Sequence, residues 1–289
     1  MRLVCWNVAG KIDGPRAARL SAQAQAIAGE RPDVVALQEV TRASDPQWRA
    51  ALARLGLPHV ISTTSLLAPD RRYANLLAAR WPLQPLSFRP DPDNDFPEKL
   101  LTARVQTPST IPIDVHVFHA PTGVGSGWGK VRTLEALHRR LAQTSATPRI
   151  VCGDFNAPQQ HLPGGPLITW AQDPTTRILH RRAAPWFTKI ESPTAWDAER
   201  WDKAERQVLE PTGSDLVDVY RDLHPHGEDF SWVWRRGDRV VGRRYDHVLA
   251  SRELRLLSMS YRHDWRERDS SESRLSDHSG VVFDFDLQG

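Results

Sequence analysis

Four short apolar runs in this chain each stop on a polar residue of a kind that handles cations and phosphates. They are Leu3-Val4-Cys5-Trp6-Asn7, Val34-Val35-Ala36-Leu37-Gln38-Glu39, Val115-His116-Val117-Phe118-His119 and Ile150-Val151-Cys152-Gly153-Asp154. Runs of this length and composition read as β-strands, with the polar residue placed where the strand emerges. Strand ends gather along one edge of a sheet, so residues far apart in sequence can converge on one pocket. Asn156, Asp246, Asp277 and His278 belong to the same set by residue type. Carboxylates, amides and imidazoles of this kind suit a hard divalent cation and the hydrolysis of a phosphate ester.

A chain of 289 residues makes one large domain or two modest ones, and either buries a sizeable core without staples. Cys5 and Cys152 both lie inside apolar runs. They read as small core residues, not as a disulfide or metal site, and free buried thiols fit a reducing compartment. No stretch approaches the roughly 20 apolar residues that span a bilayer, and Met1-Arg2-Leu3-Val4 enters the first strand without a signal-peptide pattern. The expectation is a soluble, cytoplasmic monomer. The net charge of +3 is mild, but the basic residues are mostly arginine, which suits bidentate phosphate contact. A GC-rich genome gives the same enrichment, and charge alone does not identify a nucleic-acid binder.

Along the chain, residues 15–30 read as a helix with Leu20, Ala24, Ile27 and Ala28 on one stripe, ended by Pro32. Asp45-Pro46 reads as the cap and first turn of a second helix carrying Trp48, Leu52 and Leu55, with Gly56 as its stop. Strands are expected near residues 59–62, 75–79, 100–105 and 113–118, as an antiparallel meander. A helix at about 130–143 then leads to the strand ending at Asp154. Residues 157–212, with Trp170, Trp186, Trp196 and Trp201, read as a loop-dominated segment with short helices. Ser214 is expected to cap a helix over 215–223, followed by strands near 230–234, 244–250, 256–261 and 281–285. Two similar αβ halves imply one domain, a sandwich of two sheets with helices outside.

Taken singly, each candidate has an ordinary structural explanation. Asn7 suits a turn, Glu39 a strand-end charge, His119 a satisfied core histidine and Asp154 with Asn156 an Asx turn. Asp246, Asp277 and His278 suit loop or surface positions. The order of the pieces carries more. Trp6-Asn7, Leu37-Gln38-Glu39, Gly153-Asp154-Phe155-Asn156, Arg244-Tyr245-Asp246-His247-Val248-Leu249-Ala250-Ser251 and Ser276-Asp277-His278 resemble, in order and spacing, the endonuclease/exonuclease/phosphatase superfamily across essentially the whole chain.

That resemblance implies an α/β fold, a four-layered αββα sandwich of two mostly antiparallel sheets with the site at one end. It implies Glu39 as the principal Mg²⁺ ligand, Mn²⁺ being a substitute, with Asn7 and Asp277 completing or flanking the metal site. Asp154 corresponds to the carboxylate that orients or deprotonates water, and Asn156 to its partner. His278, supported by Asp246, corresponds to a phosphate contact. His119 takes the second-histidine position of pancreatic deoxyribonuclease and the sphingomyelinases.

For the substrate, the stretch from Asp215 to Pro225, then Phe230-Ser231-Trp232 and Arg244-Tyr245-Asp246, is similar to the exonuclease III class of apurinic/apyrimidinic endonucleases. DNA is therefore the favoured partner, in a nuclease of repair type. That class usually has a tyrosine at the position of His119, and Asn-Gly or a similar pair where this chain has Asn7-Val8-Ala9-Gly10. A small-molecule or lipid phosphate ester is the alternative substrate. Arg42, Lys99, Trp234, Arg235 and Arg244 are the candidate substrate contacts, and Trp232 to Arg239 is the candidate DNA-facing hairpin, with one of Trp232 and Trp234 in the core. The glycine-rich stretch from Gly123 to Gly129 lacks a Walker pattern and reads as a flexible rim, with Trp128 as a helix-packing anchor.

Overall fold

Side-chain alternation along the central strands sorts the apolar residues into three cores. In the computed structural model the first strand, β1 (Arg2–Asn7), sends Leu3 and Cys5 into one cluster and Val4 and Trp6 into another. The chain continues through α1 (Arg16–Glu30), β2 (Val34–Val40), α2 (Asp45–Arg54), β3 (His59–Ser62), β4 (Ala74–Ala79), β5 (Leu83–Pro85), β6 (Leu100–Val105) and β7 (Ile113–His119). Then come α3 (Gly123–Ser126), α4 (Trp128–Leu141), β8 (Arg149–Asp154), β9 (Gln160–His161), β10 (Leu167–Ile168) and α5 (Ala198–Leu209). The last part holds β11 (Leu216–Asp218), α6 (Val219–Leu223), β12 (Trp232–Arg236), β13 (Arg239–Arg243), β14 (Asp246–Ser251), β15 (Leu254–Arg262) and β16 (Gly280–Leu287). The structure describes residues 1–10, 16–86, 91–143, 145–162, 164–182, 196–211, 214–266 and 274–287, without the side chains of 16–18 and 236. Pro15, Trp186 and the side chains of Arg16 and Arg236 lie outside the described residues.

Two six-stranded sheets form, in the orders β15-β16-β1-β2-β4-β3 and β11-β14-β8-β7-β6-β5. Each contains one parallel pair, β1 with β2 and β7 with β8, and is otherwise antiparallel. Parallel neighbours need a crossover, and α1 and α4 supply it. Leu3, Cys5, Val34, Ala36, Ile150, Cys152 and Val248 fill the space between the sheets. Their alternates face outward: Val4, Trp6, Val35 and Leu37 meet Ile27 of α1 and Trp48 of α2, while Val151 and Leu249 meet Leu134 of α4 and Trp201 of α5. The result is the expected αββα layering. Both cysteines are free and buried, and among the described residues no helix is long and apolar enough to cross a membrane.

Four local expectations need correction. Leu216-Val217-Asp218 is not the start of a helix; it pairs with Leu249 to Ser251 as the edge strand β11. The open edge of β14 and a β-branched residue favour pairing, and the short helix begins at Val219, capped by Asp218, which accepts from Arg221 N at 3.2 Å. Residues 123–129 are not a loop: α3 and the start of α4 occupy them, and Trp128 packs on Trp196 and Trp201. Helix α2 starts one residue after its cap, Ser44, so Asp45 is its first residue and pairs with Arg49. The segment 157–212 holds a three-turn helix, α5, whose Trp201, Ala204, Glu205 and Val208 face inward. Its stripe is masked in sequence because one of its buried members is a glutamate.

The close approach of β7 and β8 depends on one glycine. Gly153 has φ +146°, and a Cβ there would lie 1.8 Å from the carbonyl oxygen of Phe118, its register partner. Backbone cannot yield as a flexible side chain would. Gly153→Ala is expected to destabilise the fold by about 3 kcal/mol or more. Urea unfolding checks this, and a midpoint equal to the parent's contradicts it.

Candidate active site

Because β1 runs parallel to β2 and β7 to β8, the carboxyl ends of all four strands lie at one edge of the sandwich. Those ends deliver Asn7, Glu39, His119 and Asp154. Asp246 opens β14 opposite Asp154, and Asp277 and His278 precede β16, which runs antiparallel to β1. Glu39 reaches the pocket through a bulge. The register of β2 against β4 shifts between Leu37 and Val40, both of which face the outer core, and Glu39 takes a left-handed φ of +62°. A bulge of this kind re-aims a side chain that regular alternation would have sent elsewhere.

The pocket, about 370 Å³, has Glu39, His119, Asp154, Asn156, Asp277 and His278 in its lining. Trp170, Trp232, Tyr245 and residues Thr122 to Val124 form the rest. Asn7 braces two carboxylates: its amide nitrogen donates to Asp154 Oδ2 at 3.0 Å and to Glu39 Oε1 at 3.3 Å, while its oxygen accepts from Ala9 N. Asn156 N donates to Asp154 Oδ1 at 2.8 Å, and the Asn156 side-chain nitrogen donates to Ala120 O. Burial, helped by Asp246 and opposed by His278, Asn156 and Asn7, pushes the Asp154 carboxyl up to about 7.

His278 Nδ1 sits 2.7 Å from Asp246 Oδ2, and its Nε2 lies 3.7 Å from Asp154 Oδ2. Burial pulls the imidazole down, but Asp246 and Asp154 outweigh it and raise its pKa to about 10. Its backbone is fixed independently, donating to Ser276 Oγ and accepting from Trp6 Nε1. His119 is the opposite case. Burial, then Lys99 and His278, push it well below the usual histidine range, so it is neutral. Lys99 Nζ lies 3.0 Å from His119 Nδ1. An ammonium only donates, so Nδ1 accepts and Nε2 carries the proton. That Nε2–H lies 3.9 Å from Glu39 and 3.8 Å from Asp154. Burial draws Lys99 itself down to about 8, against Glu39 and Glu98.

The structure thus brings together Asn7, Glu39, Lys99, His119, Asp154, Asn156, Asp246, Asp277 and His278. The other candidates lie elsewhere. Arg244 is buried away from the pocket, its guanidinium held by Asp218 at 2.6 Å and by His161 at 2.6 Å. Arg42 donates to the carbonyl of Leu67. Trp234 and Arg235 are exposed on the β12–β13 ribbon.

Sequence reading missed Trp170, Tyr245 and the support behind Asn156. Lys130 of α4 donates to the Asn156 carbonyl at 2.9 Å and to Glu205 at 2.7 Å, and Trp170 Nε1 reaches the same carbonyl. Glu205 also accepts from Trp170 N and Trp201 Nε1. Only the helical spacing of Lys130 with Val131 and Leu134, and of Glu205 with Trp201, signalled that both charges face inward.

The residues present fit a hard divalent cation. Burial and then Asp277 raise the Glu39 carboxyl, so two neighbouring carboxylates repel each other across the pocket. An oxygen-rich, mutually repelling pair is the donor set that Mg²⁺ or Mn²⁺ accepts. Asp154, Asp246 and His278 also offer ligand atoms within 4.8 Å of one another. There, however, Asp246 and Asp154 hold the His278 imidazole in its charged form, and a cation at that ring would have to displace its proton.

The solved structures similar to this chain share its fold. An AP endonuclease from Archaeoglobus fulgidus superposes with a TM-score of 0.66 at 22% identity, over 99% of this chain and 100% of that one. D. rerio TDP2 complexed with a single-strand DNA product gives 0.66 at 16%, over 99% of each chain. The 3′ phosphatase NExo from Neisseria, bound to a product DNA hairpin, gives 0.64 at 20%, over 99% and 100%. No curated protein matches the chain by sequence. The model of the Endonuclease/Exonuclease/phosphatase family matches residues 4–278, and the chain belongs to that family, whose members are metal-dependent hydrolases of phosphoric esters.

Proposed function

We propose that this chain is a Mg²⁺-dependent phosphodiesterase acting on DNA, a nuclease of repair type. One observation carries the choice of DNA: aromatic rings wall the pocket directly beside its hydrolytic floor. Trp232 stacks on Tyr245 at 5.5 Å, its backbone bridges to His278, and Arg243 lies 5.9 Å over the ring of Trp170. Flat faces and a guanidinium next to a phosphate site suit a nucleotide, whose base or sugar lies against rings while its phosphate is hydrolysed. The AP endonuclease, TDP2 and NExo likenesses support the same reading.

In this reading Glu39 and Asp277, with Asn7 behind them, hold the cation. When bound, it supplies Lewis acidity at the phosphoryl oxygens. Asp154, held by Asn7 and Asn156, takes the proton of the attacking water, and its raised pKa matches that task near neutral pH. His278, charged and fixed by Asp246, donates through Nε2 to a phosphoryl oxygen as charge grows there. His119 presents its Nε2–H to the leaving oxygen, with Lys99 fixing the tautomer.

A small-molecule or lipid phosphate ester is the second reading, favoured by His119 at the pocket floor. The two separate in one assay. Purified protein with Mg²⁺ is expected to cleave plasmid or abasic and nicked oligonucleotides, with salt-sensitive binding. Turnover of sphingomyelin or inositol phosphates without any oligonucleotide hydrolysis would overturn the DNA assignment.

A further inference from the structure

The ribbon of β12 and β13 extends the aromatic wall away from the pocket. Its register pairs Trp232 with Arg243, Trp234 with Val241 and Arg236 with Arg239. Alternate residues of a strand share a face, so Trp234 continues the face on which Trp232 lines the pocket. Trp232 is half-buried against Tyr245, whereas Trp234 is 37% exposed and among the described residues stacks on no other ring. Val240 on the same ribbon is 53% exposed. Four ribbon positions, Arg235, Arg236, Arg239 and Arg243, are arginine against one acidic residue, Asp238. A large ring left open on a cationic ribbon beside a phosphate-hydrolysing pocket complements a polyanion that carries flat groups.

Spacing identifies the form of that polyanion. Residues two apart on a strand are separated by about 6.8 Å, whereas successive stacked bases of one strand in B-DNA are separated by a rise of only about 3.4 Å along the helix axis. Neighbouring nucleotides that each meet one tryptophan must therefore be unstacked from one another. A duplex forbids this and a single-stranded end allows it.

We propose that Trp234 is a second stacking platform that receives the nucleotide adjacent to the one hydrolysed, so that the preferred substrate is a frayed or single-stranded DNA end and not an intact duplex. The inference rests on the DNA reading of the pocket. Arg239 at the ribbon tip then meets the backbone of the outgoing strand.

The test compares the parent with Trp234→Ala and Trp234→Phe in the full chain with Mg²⁺. Three substrates are used: a duplex with a single-stranded thymidine tail, the blunt duplex, and bis(p-nitrophenyl) phosphate as a diester too small to reach the ribbon. Expected is a KM for the tailed substrate raised about tenfold in Trp234→Ala, a loss at least several-fold greater than on the other two, and recovery of most of it in Trp234→Phe. Binding of a fluorescein-labelled thymidine oligonucleotide in EDTA should weaken by the same factor. Equal losses on all three substrates, or no change on the tailed one, overturn the platform while the DNA reading stands. A parent that hydrolyses the small diester but neither cleaves nor binds any oligonucleotide overturns the DNA reading, and the platform with it.

Discussion

His278→Ala is expected to lower turnover by about two orders of magnitude or more. The imidazole is positively charged because Asp246 and Asp154 outweigh the effect of burial, and it is the one fixed cation whose free nitrogen faces the Asp154 carboxylate among the pocket residues described. Truncation removes that charge but keeps the backbone in place, since Ser276 and Trp6 hold the main chain at residue 278 without using its side chain. The loss should therefore appear in kcat with the fold intact, as judged by circular dichroism and an unchanged urea midpoint. Asp154→Asn should produce a loss of similar size by removing the proton acceptor while keeping a group that Asn7 and Asn156 can still contact. Steady-state kinetics on any accepted ester checks both. Near-native turnover in either folded variant would remove these residues from the chemistry.

Chelation is expected to abolish hydrolysis, and added Mg²⁺ or Mn²⁺ to restore it. The physical ground is the mutual repulsion of Glu39 and Asp277, which also gives a readout that needs no substrate. A cation that binds the folded chain and not the unfolded one raises Tm, by an amount that grows with its concentration over Kd. Glu39→Gln should remove most of that rise, and higher Mg²⁺ within ordinary assay ranges should not restore it. Full turnover in EDTA, or a Tm that ignores Mg²⁺ in the parent, contradicts the assignment.

Much of the site was legible because strand ends are legible. Asn7, Glu39, His119 and Asp154 each close an apolar run, and parallel pairing of those runs brings their ends together. Other features were hidden for specific reasons. The bulge at Glu39 depends on pairing with β4, which no local pattern announces. Arg244 sits in a motif beside Asp246 and reads as a phosphate contact, yet Asp218, from a strand that had read as helix, captures it. Trp170 reaches the pocket from a segment with no catalytic signature, and Tyr245, although inside the Arg244–Ser251 motif, carries no charge that marks it as a site residue beside Asp246. Lys130 and Glu205 look like surface charges in a sequence and become an inward pair only when α4 and α5 pack on the sheet.

The Lys130–Glu205 pair has a kinetic meaning for recognition. Both side chains are almost wholly shielded from water, and together they hold the Asn156 carbonyl and the backbone of Trp170. Swinging that wall outward would remove a hydrogen bond from each member of a buried ion pair with no water to replace it, which is costly. The layer behind the wall therefore holds it in place. Adaptation on binding falls to the ligand, so encounter rates should track how readily a substrate deforms, and stiff substrates should be discriminated against at the association step.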